Sequence, residues 1–487
     1  MTTEPSLPTQ PLLAASPPPS PAEPGQRLRW TGLRGATAAL ALSRLAGSAP
    51  GPLLVIARDS AQAAQIEREL RFFAGDGLEI LEFPDWEILP YDRFSPHQDL
   101  ISARLRTMSR LPHLARGLLV VPVATLMQRL PPTQYVNAHG LSLRLGEPLA
   151  LPQMQRQLEA AGYVHVGQVV EHGEFAVRGG LLDLYPMGSQ QPYRIELFDD
   201  EVESIRAFDP DSQRSQAPQE AVEILPGREF PVDGPALERF YANYLTQCRQ
   251  NPARSPIYKA LQNGRVPAGV EFYLPLFFEQ TATLFDYLPQ NVTLAWHEGA
   301  HDAAESFWAE VRERYEERSG DLEQPPLGPE ALYLPADALF GRIRDHAQVS
   351  FDASDAPRRG QTVSFATAPL PDLEVQTRAQ DPLARLRAFI EQGHGRTLLC
   401  AESAGRREML LETLQRHHLS PHKVDGWAEF LRGEDRLALT VAPLAGGALL
   451  PDDGVAVVTE TELYGARSVQ ERRTERCLLY TSPSPRD

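Results

Sequence analysis

The sequence predicts an α/β protein: a doubly wound domain, a small antiparallel β-rich insert in the chain, and then a second, smaller α/β domain. Three observations carry this expectation. Short, wholly apolar runs alternate with stretches of helical spacing between residues 53 and 122, the pattern of strands buried on both faces of a parallel sheet. The same alternation returns between residues 383 and 459. Between the two blocks, from Glu171 to Ser212, the spacing changes to period two with turn residues at close intervals, which is how hairpins read.

In the first block Leu53 to Ala57 (LLVIA) is a buried strand, Ala61 to Phe73 a helix, Leu78 to Phe83 a second strand, Ile101 to Leu111 a second helix and Gly117 to Pro122 a third strand. The loop from Phe83 to Leu105 is punctuated by proline and carries Trp86, Tyr91, Phe94 and His97. Its aromatics are expected to staple it to the domain, with Ser95-Pro96 starting the next helix. His97 and Asp92 would need a third residue to orient them as an acid/base pair, and none is in view. Ahead of the block, residues 1–25 are rich in Pro, Ser and Ala and lack the basic start and apolar centre of a signal peptide. They read as a disordered leader, with order beginning near Gln26. A nucleotide site would place a glycine-rich loop with Lys-Ser/Thr before the first helix, because backbone amides and the lysine hold the phosphates. The nearest candidate, Gly32 to Thr37, has neither the spacing nor the lysine.

The antiparallel stretch, 140–225, is inserted between α/β stretches at 26–139 and 226–345. Within the insert Phe175 to Arg178 and Leu181 to Tyr185 form a hairpin through Gly179-Gly180, and Tyr193 to Phe198 and Val202 to Phe208 follow as strands joined at Asp199-Asp200. Strand alternation puts Tyr193, Ile195 and Leu197 on one side and Arg194, Glu196 and Phe198 on the other. The aromatic thus stands on the charged face, and Arg178 joins it if the strands are neighbours. Arginine and aromatic side chains dominate protein contacts, so the three make a candidate docking patch. The competing reading has Phe198 capping a second small core while the arginines pair with Glu196 or Glu201. Asp199-Asp200-Glu201 is better explained by the turn than as a metal cluster.

In the return half, Phe230 to Phe285 alternates helical stretches with the apolar phrase Gly269 to Phe278, and a charged helix from Ala303 to Arg318 sets Trp308 and Tyr315 on one face as core residues. Residues 346–370 lose periodicity and read as a linker. The second domain, 371–476, carries helices at Leu383 to Glu391 and Gly405 to His417 and strands at Arg396 to Ala401, Leu437 to Val441 and Gly454 to Thr459. Ser403 to Arg407 would cap the second helix, or hold an anion at its positive end. Residues 477–487 lack periodicity and read as a non-native tail.

A formal net charge of −17 over 487 residues argues against a generally basic nucleic-acid surface. Cys248, Cys400 and Cys477 lie far apart, giving neither metal spacing nor a disulfide framework, which fits the cytoplasm. No apolar run approaches the roughly 20 residues of a membrane span.

The phrases Asp85-Trp86-Glu87, Leu89-Pro90-Tyr91-Asp92 and Ser95-Pro96-His97-Gln98-Asp99, and then Gly173-Glu174-Phe175-Ala176 through Asp211-Ser212-Gln213-Arg214, resemble the amino-terminal region of the bacterial transcription-repair coupling factors (Mfd). The resemblance runs from about Gln26 to Glu475. It implies a discontinuous UvrB-like α/β domain, in two halves at 26–139 and 226–345, whose insert at 140–225 docks on UvrA, with Arg178, Arg194 and Phe198 matching the family's contact residues. It also implies that the longer family chain continues into an RNA-polymerase-binding module, two motor domains that use ATP and Mg on double-stranded DNA, and a regulatory domain. On that reading this stretch recruits UvrA in transcription-coupled nucleotide excision repair and has no catalytic residue, cofactor or metal of its own. The alternative is a UvrB-like ATPase or helicase component that loads onto damaged DNA; the missing phosphate loop and the acidic balance stand against it.

Overall fold

A computed structural model of the chain describes residues 9–138, 140–248, 251–351 and 361–465; the tail expected over 477–487 lies outside them. The chain divides into two units, one built mainly from residues 14–365 and the other mainly from the stretch after Phe365.

In the larger unit five strands come before the insert: β1 (Thr9–Gln10), β2 (Arg27–Thr31), β3 (Leu53–Ala57), β4 (Ile80–Glu82) and β5 (Leu118–Pro122). The insert holds β6 (Leu141–Arg144), β7 (Val164–His165), β8 (Glu174–Arg178), β9 (Leu181–Leu184), β10 (Tyr193–Phe198), β11 (Glu201–Phe208), β12 (Ser215–Pro218) and β13 (Ala221–Ile224). After it come β14 (Thr293–Trp296), β15 (Ala347–Phe351) and β16 (Gln361–Phe365). The eight strands outside the insert form one sheet in the order β1-β16-β2-β15-β14-β3-β5-β4, parallel throughout. β3 and β5, the apolar runs of the sequence, are buried along their whole length, as strands covered on both faces must be. Asp59 caps the helix Ser60–Ala74 by accepting from the Gln62 amide at 2.7 Å.

Two sequence expectations are corrected here. Residues 9–25 are not a disordered leader: β1 pairs with β16, and the Trp30 indole donates to the Pro19 carbonyl at 3.2 Å. Leu12, which belongs to the smaller unit, is wholly buried there, and the Asp453 carboxylate accepts from the amides of Leu12 and Leu13 at 2.8 and 3.0 Å. Composition sees proline and serine but not the distant carboxylate that satisfies the backbone. Nor are residues 346–370 only a linker. β15 and β16 flank β2, and Trp30 packs edge-on against Phe351 and Phe365 at 5.8 and 5.2 Å. These strands carry Gln and Ser among their apolar residues, which dilutes the hydrophobic signal; in β15, inside the sheet, the buried Gln348 amide is satisfied by the Ile343 carbonyl at 2.8 Å.

The Phe83 to Leu105 loop also differs in detail. Its helix begins at Gln98, with the His97 ring accepting from the Asp99 amide at 3.2 Å, while Ser95 turns its hydroxyl to Glu271 at 2.8 Å. His97 thus serves Asp99 rather than Asp92. Trp86 and Tyr91 are buried staples, but Phe94 is 68% exposed. Pro90 and Tyr91 occupy the centre of a turn closed by the Asp92 amide on the Leu89 carbonyl (3.1 Å). Tyr91 takes φ 61°, where glycine is usual. Its ring compensates by burial, stacking on Phe272 and donating to the Leu327 carbonyl at 3.0 Å. Trp308 and Tyr315 pack against the main core from the helix Ala300–Arg318, as expected.

Just past the insert, where the chain returns to the body, a buried ion pair ties it down. Arg104, on the helix Gln98–Arg110, has no exposed surface and gives its Nε–H to Glu229 at 2.6 Å; its Nη1 donates to the Pro84 carbonyl at 2.9 Å. The Trp86 indole donates to the other Glu229 oxygen at 3.1 Å, and the Arg104 head lies 4.4 Å above the Phe83 ring. Beside it Gly227 approaches Gly162 backbone to backbone, so closely that a Cβ at Gly227 would stand 2.7 Å from the Gly162 carbonyl carbon.

The smaller unit holds β17 (Arg396–Ala401), β18 (His422–Lys423), β19 (Leu437–Val441), β20 (Ala448–Leu450) and β21 (Val455–Thr459) in the order β18-β19-β17-β21-β20. All pairs are parallel except β20 with β21. Ser403 caps the helix Ala404–Arg416, and Arg406 is spent on the buried Glu460. Simple capping is what the structure displays there.

Removing one member of a buried pair strands the other charge, so Arg104→Ala or Glu229→Ala should cost about 3–5 kcal/mol of stability, against much less for an exposed pair such as Arg416 with Glu412. Urea unfolding measures it, and equal midpoints for the two kinds of variant would refute the assignment. For the amino-terminal segment, Leu12→Ala should lower stability by roughly 2–5 kcal/mol; a disordered leader would leave the melting curve unchanged.

Candidate functional site

The insert's six-stranded sheet runs β12-β11-β10-β9-β8-β7, antiparallel except for β7 with β8. The Gly179-Gly180 turn connects β8 and β9 with Arg178 opposite Leu181, as the sequence indicates. Asp199 takes φ 50° in the two-residue turn after β10, so the acidic run there is explained by turn geometry. Among the described residues no group of three or more His, Cys, Asp or Glu side chains is arranged to hold a metal ion.

Alternation gives this sheet two unlike faces. Phe175, Leu182, Leu184 and Ile195 point inward and join the main hydrophobic core together with Met154 and Leu158 of the helix Leu151–Ala160. The outer face carries all three predicted residues. Cross-strand partners share a face, and the rows Arg178, Leu181, Glu196 and Ala176, Asp183, Arg194, Arg206 lie two residues apart on the outer side.

The three residues differ in what they do. Phe198 is 69% exposed, at the end of β10 beside the Gly179-Gly180 turn, whose glycines offer no side chain to cover it. Arg178 is exposed and donates to the Gly167 carbonyl. Arg194 is largely buried: Nε and Nη2 donate to the two oxygens of Asp183 at 2.8 and 2.9 Å, and Nη1 donates to the Gln213 carbonyl at 3.3 Å. Asp183 is only 1% exposed, and its hydrogen bonds hold the Arg194 guanidinium above its already high range.

The competing reading was therefore half right. A second small core does exist on the outer face, made by Val169, Ala176 and Phe208 with Val166 and Tyr185, and Arg194 caps it with its head 5.0 Å from the Phe208 ring. Phe198 takes no part in it, and the acid that pairs with Arg194 is Asp183 rather than Glu196 or Glu201. The sequence did hold a signal for Asp183. It is the one charged residue in the apolar run Leu181 to Leu184, on the outward phase of a strand that a tight hairpin sets beside Arg194.

The α/β frames offer little chemistry of their own. In the Gly32 to Thr37 stretch the Arg34 amide is held by the Thr37 hydroxyl (2.8 Å) and the Ala36 amide by the Gly446 carbonyl (3.0 Å), so neither is directed to a phosphate. At the carboxyl ends of β3 and β14, where parallel sheets of this kind bind ligands, the side chains satisfy one another. The Gln62 amide meets His297 Nδ1 at 2.9 Å, burial and Arg58 push the His297 imidazole down to about 4, and Arg58 is paired with Asp59 at 2.9 Å. Cys248 is buried, its thiol pushed up to about 12, and burial raises Cys400 as well, so neither is a ready nucleophile. No helix among the described residues is long and apolar enough to cross a membrane.

Comparison with known proteins places this face in a recognised module. Residues 141–230 match a family model described as the UvrB interaction domain, and residues 389–463 one described as the MFD, D3 domain. The chain is 38% identical over 458 residues to the transcription-repair-coupling factor of Escherichia coli strain K12, covering 94% of this chain and 40% of that protein. It is 37% identical over 442 residues to the protein of the same name in Haemophilus influenzae, covering 90% and 38%. With the one from Staphylococcus aureus it shares 24% over 456 residues, 88% of this chain and 37% of that one. The chain thus spans about two fifths of the length of these relatives.

The site geometry separates binding from folding. Phe198→Ala should change stability by less than about 0.5 kcal/mol, as exposed substitutions do, whereas Phe208→Ala should cost roughly 3–5 kcal/mol. Arg194→Ala should fall between them, at about 2–3 kcal/mol, because it leaves the buried Asp183 carboxylate without its partner. Thermal unfolding of the three variants checks this ranking.

Proposed function

Because the chain belongs to the transcription-repair-coupling factors, of which it matches the amino-terminal UvrB-like region, we propose that its insert recruits UvrA through the outer face of the β7–β12 sheet. The observation that carries this reading is the exposure of Phe198 beside arginines on the same face. An aromatic left 69% in water at a strand end, flanked by Arg178 and by a rigidly held Arg194, has the composition of a binding hot spot. A monomer gains nothing from such an arrangement.

In this proposal the stretch acts as an adaptor in the cytoplasm. The longer protein, with ATP and Mg in motor domains, would act on double-stranded DNA and stalled RNA polymerase and bring UvrA to the lesion. The two α/β frames then serve as scaffold, a role supported by the engaged amides of Arg34 and Ala36 and by the mutually satisfied groups around His297. A cofactor of their own has no place in this reading.

The test is a binding titration of this chain with purified UvrA. Phe198→Ala and Arg178→Ala should each weaken the complex by roughly 2 kcal/mol or more while leaving the melting temperature alone. Unchanged affinity in both variants would sink the docking reading.

A further inference from the structure

A guanidinium has five N–H donors fixed in one plane. In Arg194 the fold occupies three: Nε–H and one Nη2–H on the Asp183 carboxylate, and one Nη1–H on the Gln213 carbonyl. One N–H remains on each terminal nitrogen. The head cannot swing freely, because the Phe208 ring lies under it and Asp183 is itself immobilised by burial. Part of the side chain, 18%, is still exposed.

We propose that Asp183 is a positioning residue of the docking face: it sets the Arg194 head so that the two remaining N–H groups receive a carboxylate of the partner. The proposal rests on the docking reading above and adds to it the chemistry of the contact. Two donors on one rigid planar head match the two oxygens of a carboxylate better than any single acceptor, and holding them in place beforehand removes the entropy a loose arginine loses on binding. Arg206 stands directly opposite Arg194 and is exposed, and Arg178 lies on the same face, where Asp183, Glu196 and Glu201 stand among the three guanidinium groups. Two arginines directly opposite one another repel. The Asp183 carboxylate offsets that repulsion, and the two remaining donors have no hydrogen-bond acceptor among the described residues. The half-buried position of Arg194 thus becomes part of the site rather than an argument against it.

The experiment measures UvrA affinity and thermal stability of the full chain for Asp183→Asn, Arg194→Ala, Arg194→Lys and the double variant Asp183→Asn/Arg194→Ala. Asp183→Asn keeps the shape but accepts more weakly, and it should lose about tenfold or more in affinity. The double variant should bind no worse than Arg194→Ala alone, since Asp183 acts only through Arg194. Arg194→Lys keeps the charge and can still pair with Asp183, but it lacks the fork, so it should bind as weakly as Arg194→Ala while melting close to the unaltered chain. If Asp183→Asn folds poorly, the lysine variant decides alone: affinity near that of the unaltered chain means that charge suffices and the positioning claim is wrong. Normal affinity in Asp183→Asn, with Arg194→Ala still impaired, overturns the proposal but spares the docking reading. Failure of the unaltered chain to bind UvrA overturns both.

Discussion

The buried pair of Arg104 and Glu229 is the constraint on which the larger unit depends. The two residues lie 125 positions apart, one on a helix of the body and the other where the chain returns from the insert. A charge with no exposed surface must find its partner or forfeit several kcal/mol. The insert can therefore vary in its outward features only while the stretch that follows β13 delivers a carboxylate to this point. Around the pair the indole of Trp86, the carbonyl of Pro84 and the ring of Phe83 supply the remaining contacts, which explains why the loop after β4 is so dense in aromatic and proline residues. The chain leaves and returns side by side where β6 pairs antiparallel with β13, and the close approach of Gly227 to Gly162 packs the exit against the insert.

Further contacts fix how the insert is held against the same helix. The His172 ring touches the Asp99 carboxylate at 2.7 Å and the Ser189 carbonyl at 2.8 Å, and the Gly188 amide donates to the Ser102 hydroxyl at 2.8 Å. Asp99 and Ser102 share one face of the helix Gln98–Arg110 and receive these polar contacts, while Arg104 makes the ion pair from another. The inner face of the insert sheet has the apolar side chains that finish the core, which leaves the outer face relieved of any structural duty except around Phe208. A face with so little to do for folding is free to carry a function.

Much of this was legible in the sequence because it is local. The apolar runs Leu53 to Ala57 and Arg396 to Ala401 are strands to the residue, and the Gly179-Gly180 turn fixes a register that places Arg178, Arg194 and Phe198 on one face. What escaped was non-local. The amino-terminal segment is held by Asp453, more than four hundred residues away, and β15 and β16 are strands because Trp30 fills the space between Phe351 and Phe365. The same limit applied within the site. Period-two alternation identifies the residues on a face but does not say which of them are already engaged with one another, and so the sequence offered Glu196 or Glu201 as partners for Arg194 when Asp183 holds it.

The order of strands in the eight-stranded sheet has a consequence for how the chain is made. β3, buried on both sides in the finished sheet, takes one neighbour, β5, from nearby sequence and the other, β14, from more than two hundred residues downstream. At a synthesis rate of about 5–20 residues per second, the edge of LLVIA waits roughly 10 s or more on the ribosome before its partner emerges. During that interval it is an apolar strand with open hydrogen-bonding groups, the kind of edge that pairs with the wrong chain. The insert, whose strands pair mostly with their immediate neighbours in sequence, can fold in the meantime. Nascent chains of this architecture should therefore depend on chaperones that shield β3, and the period of greatest risk ends only when Thr293 to Trp296 arrives.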